Sequence, residues 1–94
     1  MNQQPQQLQI KADDETLKGH YTNAMQVAHT KEEFILDFFM MSQPAGQLVD
    51  RIITSPAHMK QILKALQDNI KIYESSHGAI KEAGENQPKI GFGV

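Results

Sequence analysis

Four histidines, at positions 20, 29, 58 and 77, are the side chains here best suited to acid–base or metal chemistry. No two sit one helical turn apart, and there is no cysteine to complete a zinc set. The spacing points to solvated or capping histidines, with no metal, no cofactor and no catalytic set expected. Lacking cysteine, the chain also has no disulfide and no thiol nucleophile.

Asp37 is the conspicuous carboxylate. It interrupts the apolar run FILDFFMM (Phe34 to Met41), where a charge is costly unless paired. If the loop SQPAGQ (Ser42 to Gln47) closes a hairpin, positions whose numbers sum to about 88 face each other. That sets Asp37 opposite Arg51. The expected role is a structural ion pair that fixes register. A catalytic role would need a second acid or a nucleophile beside it, and none is placed there.

Lys60, Lys64 and Lys71 form the third group. On a helix they fall in a stripe about 40° wide, joined by Gln67. Such a row is either a solvated face or a surface for an acidic partner or a phosphate backbone. Three lysines alone bind a backbone weakly and with strong salt dependence. Ser55-Pro56 suits a helix start, and capping occupies the serine oxygen that an anion would need. The closing GFGV is not a phosphate loop, since no strand-to-helix context follows it.

These residues need a scaffold. Ninety-four residues with 39% hydrophobic content make one small globular domain. A core that small is often marginal alone, which favours an oligomer or a partner. A net charge of -2 argues against a generic nucleic-acid binder. The start MNQQPQQ lacks a secretion signal, and no apolar run is long enough to span a bilayer. A cytoplasmic protein is expected.

Residues 1–7 read as a disordered, glutamine-rich arm. Residues 8–80 read as one α+β domain. Leu8, Ile10 and Ala12 alternate with polar residues, as in a short strand. DDETLKG is a turn. A second strand runs from His20 to His29, a third over Phe34 to Met41, and a fourth over Leu48 to Thr54. Ser55 then caps a helix that opens on Pro56 and runs to about Ser76, with Gly78 as its stop. Met59, Ile62, Leu63, Leu66, Ile70 and Tyr73 share one stripe of it. The expected fold is an antiparallel sheet of three to four strands with this helix packed across it. The tail, 81–94, reads as flexible, with Ile90, Phe92 and Val94 as a docking hook.

Phe34 to Met41 is apolar on both sides, and one helix covers one side. The second side, Phe34/Leu36/Phe38/Met40 or Ile35/Phe39/Met41, needs another cover. Ile72 also points away from the helix stripe. The cover is a second copy, another protein or the chain's own termini, and a homodimer is the expectation. The alternative is a single-stranded nucleic-acid binder, with Tyr21, Phe38 and Phe39 as stacking platforms and the lysine row for the backbone.

The chain also resembles a small bacterial and archaeal family, domain of unknown function 3467. The resemblance is carried by Gly19, Tyr21 and Asn23; by Glu33, Phe34, Asp37 and Phe38; by Arg51, Ile52, Ser55, Pro56 and His58; and by Asn69, Ile70, Tyr73 and Glu74. One departure is His77, where the family more often has an aromatic. Gly91 to Gly93 is similar to tails of Bacteroidetes-type members. The resemblance implies no known activity and no catalytic residues. It does imply a transcription-associated partner, RNA polymerase among the candidates.

Overall fold

A computed structural model describes residues 7–82. Nearly all of the arm and tail assigned above lies outside them. The order is α1 (Asp14–Lys18), β1 (Ala24–His29), β2 (Phe34–Ser42), β3 (Ala45–Thr54) and α2 (Pro56–His77). The three strands form one antiparallel sheet in the order β1-β2-β3. The fold is α+β, a three-stranded sheet followed by a long helix.

Residues 8–12 are not a strand. Leu8 and Ile10 are exposed, because three alternating apolar residues have no neighbouring strand to pair with. The helical turn α1 replaces the expected loop. Its start is written in Asp13, whose Oδ1 accepts from the Thr16 amide at 2.8 Å, and in the acidic first turn Asp14-Glu15. Gly19 ends it at a φ of 76° that favours glycine.

β1 begins at Ala24, later than the sequence suggests, and just before it Asn23 adds side-chain bonds to the sheet. Its Nδ2 donates to the Met41 carbonyl at 2.9 Å, and its Oδ1 accepts from the Met41 amide at 2.8 Å. Thr30 closes the β1–β2 turn, its hydroxyl accepting from the Glu32 and Glu33 amides.

The β2–β3 turn is tighter than a six-residue loop. Ser42 pairs with Ala45, around a cis Gln43–Pro44 peptide. The ladder continues through Met41 and Gly46, and the Met41 thioether lies where a side chain at 46 would go. From Phe34 to Phe38 the paired numbers sum to 88, so Asp37 faces Arg51. Beyond that the register shifts, because Val49 has no partner between Asp50 and Leu48.

Paired residues share a face. One face carries Val27, Leu36 and Ile52 as its central row; the other carries Gln26, Asp37 and Arg51 there. Among the described residues Leu36 is the one buried apolar side chain, at 5% exposure.

Helix α2 starts as its sequence suggests. Ser55 Oγ accepts from the His58 amide at 3.1 Å, and the Ser55 carbonyl accepts from Met59 at 2.9 Å. At the far end Gly78, at φ 87°, donates to the Glu74 carbonyl. The Glu74 carboxylate also accepts from the Ile80 amide at 2.8 Å. The helix is not packed across its own sheet, however. Met59 and Ile62 are half-buried, and Pro56, Met59, Lys60 and Leu63 line a groove with Phe34 at the sheet's end. Beyond them the stripe is bare: Leu66 is 57% exposed and Tyr73 50%. One residue, Ser55, separates strand from helix. A junction that short and that firmly capped fixes the helix's direction, and the direction leads off the sheet.

Candidate interaction surface

The Asp37–Arg51 pair is bidentate. Arg51 Nε donates to Asp37 Oδ1 at 2.7 Å and Nη2 donates to Oδ2 at 2.9 Å, the strong fork geometry of guanidinium and carboxylate. The Asp37 side chain is 15% exposed. The hydrogen bond from Arg51 holds its carboxyl below the usual carboxylate range, and the same bond raises the Arg51 guanidinium. No other acid stands beside it in the ladder, where its paired neighbours are Gln26 and Arg51. The pair locks two strands together and faces no nucleophile.

The histidines are dispersed, each with a different neighbour. His20 Nδ1 lies 3.9 Å from Asp50 Oδ2, and His58 faces Gln61 at 3.2 Å. The His29 ring tilts against Phe34, and that of His77 against Tyr73. Among the described residues no three His, Asp or Glu side chains converge on one point. A shallow groove of about 340 Å³ runs between the α1 end and the sheet, lined by Thr16, Gly19, His20, Thr22, Phe38, Asp50 and Ile52. It lies on the Leu36 face of the sheet.

What the chain presents instead is apolar surface. Leu63, Leu66, Ile70 and Tyr73 make a bare stripe along α2. It continues at its base into a groove of about 450 Å³ against Phe34. The stripe therefore faces the same side as Leu36. On the sheet, Met25 and Ile52 are exposed on that side, and Leu48 and Ile53 on the other. Lys60, Lys64 and Lys71 are exposed; Lys64 and Lys71 lie well around the helix from the stripe, Lys60 lines the groove at its base, and Ile72 is exposed on the far side.

The proposed stacking aromatics are not brought together. Tyr21 is 79% exposed, but Phe38 and Phe39 are half-buried and, being adjacent in a strand, point to opposite faces. Asn23 is a structural residue whose partner is backbone, as above. Sequence reasoning did not single out Glu74 as a helix-end clasp. Its one signal was a glutamate four residues before the glycine stop.

Fold and surface together define a small sheet-and-helix domain whose helix outruns its own sheet. The chain belongs to a family of proteins of unknown function, DUF3467, whose model matches residues 1–82. Nothing among curated proteins and nothing among solved structures matches it. Among the described residues no helix is long and apolar enough to cross a membrane.

Proposed function

We propose that this chain is a non-enzymatic interaction module that works as a homodimer and attaches, in the cytoplasm, to a larger assembly. The supporting observation is the bare stripe of α2 beside a sheet that holds, among the described residues, one buried apolar side chain. Burial as small as that of residues 7–82 offsets little of the entropy of ordering them. A second copy is the cover always present in equal amount. Lys64 and Lys71 point away from that interface and suit an acidic partner surface, while Lys60 stands at the rim of the groove beside Phe34. Transcription machinery, RNA polymerase included, is the partner class that the family resemblance implies. A nucleic-acid strand is the weaker reading, because Phe38 and Phe39 do not share a face.

Light scattering on the size-fractionated chain tests the dimer. The expected mass is twice the 10.6 kDa of one chain. A stable, cooperatively melting monomer would overturn the reading. Leu66→Glu should disrupt the dimer, and Lys64→Glu, about half a helical turn away, should leave it intact.

A further inference from the structure

We infer that the two copies exchange helices, with α2 of each lying across the Leu36-bearing face of its partner's sheet. This rests on the homodimer reading above and names its geometry. The junction supplies the first reason. Ser55 alone joins β3 to α2, and its hydroxyl and carbonyl are both engaged by the helix's first turn. No slack remains for the helix to turn back over the strands it came from.

Orientation supplies the second. Phe34, Met59 and Leu63 bound one groove with Lys60 at its rim, so the base of the helix stripe opens beside the Phe34 end of the Leu36-bearing face, next to the α1 segment that lies over Phe38 and Ile52. A two-fold axis can set such a surface against itself, each stripe meeting the other's sheet. The opposite face suits an apolar helix less well. Its central row is Gln26, Asp37 and Arg51, and covering an ion pair with leucines would strip its water. The central row on the Leu36 face is Val27, Leu36 and Ile52.

Size supplies the third. Twenty-two helical residues reach about 33 Å, and ten residues of β3 also span about 33 Å. The exposed parts of Leu63, Leu66, Ile70, Tyr73, Met25 and Ile52 come to on the order of 600 Å², close to the about 800 Å² per partner of a standard interface.

The chain has no cysteine, so introduced thiols report cleanly. Ile52 and Ile53 are neighbours on opposite faces, which lets one pair of variants read the face. Leu63→Cys, Leu66→Cys and Ile70→Cys are each co-refolded with Ile52→Cys, and separately with Ile53→Cys, then oxidised. At least one helix variant should join Ile52→Cys in a covalent mixed dimer that takes up about half of the chains, the share random pairing puts in mixed dimers, and none should join Ile53→Cys. Linkage to position 53, or helix variants that link only to themselves, would overturn the exchange. Against misfolding of the variants, unsubstituted chain mixed half-labelled with carbon-13 should give intermolecular methyl NOEs between the stripe leucines and Ile52. Their absence from a dimer would overturn the exchange and leave the homodimer reading standing. A monomer by light scattering would overturn both.

Discussion

The carboxamide of Asn23 engages both main-chain groups of Met41, donating to its carbonyl and accepting from its amide. A side chain thereby completes the β1–β2 ladder one residue beyond the strand, beside the Asn23 amide's own bond to the Phe39 carbonyl at 3.0 Å. Asn23→Ala leaves two peptide groups of β2 with water as their only substitute. The expected loss is about 1–3 kcal/mol of stability, read as a lower urea midpoint, with faster amide exchange at Met41. Asn23→Asp keeps the acceptor and loses the donor, so Met41 should keep more protection than in the alanine variant.

Asp37 should titrate below the ordinary 3.8 of an aspartate, because Arg51 donates two hydrogen bonds to its charged form. A carboxyl whose folded pKa lies below its unfolded one stabilises the fold above the unfolded pKa. That contribution fades as pH falls through the folded value. Stability should therefore drop as pH is lowered from about 4. Arg51→Gln should return the Asp37 carboxyl to the ordinary range, as followed by carbon-detected NMR titration. An unchanged titration would show that the fork does not form in solution.

Leu36 sits at the centre of the one filled patch of the described chain. Leu36→Ala should cost about 2–5 kcal/mol. A domain this small has little to spare, so the variant should be largely unfolded by circular dichroism at 37 °C. Leu8→Ala, at an exposed position, should leave the melting curve unmoved.

Helix ends offer two smaller tests. Ser55→Ala removes the acceptor for the His58 amide and should cost about 0.5–2 kcal/mol. Gly78→Ala should cost about 1–3 kcal/mol. The space around Gly78 is open, so its penalty comes from the φ of 87° alone. Thermal melts of both variants check the order.

Much of this fold is legible in the residues. The apolar run around Asp37, the charge that must be matched, and a hairpin sum near 88 are enough to set Asp37 against Arg51. Ser55-Pro56 marks the start of α2, since a capping oxygen and a ring-locked φ act locally. What the sequence hides is global. A helical stripe declares that it must be covered and says nothing of which molecule covers it. Expecting α2 to lie on its own sheet follows from pattern, and the single-residue junction defeats it. Leu8 to Ala12 shows the converse, since alternation without a partner strand makes no strand. Asn23 was legible only as a backbone-bonding type; its place beside Met41 depends on pairing eighteen residues away.

Val49, the extra residue in β3, has a consequence for how this protein can assemble. β3 lies at the sheet's margin, and about half of the backbone groups along its ten residues face outward. A flat ribbon of that length would recruit further strands without end. The additional residue kinks and twists it midway, so an incoming strand falls out of step after a few bonds. An open-ended stack of strands on this edge is thereby disfavoured.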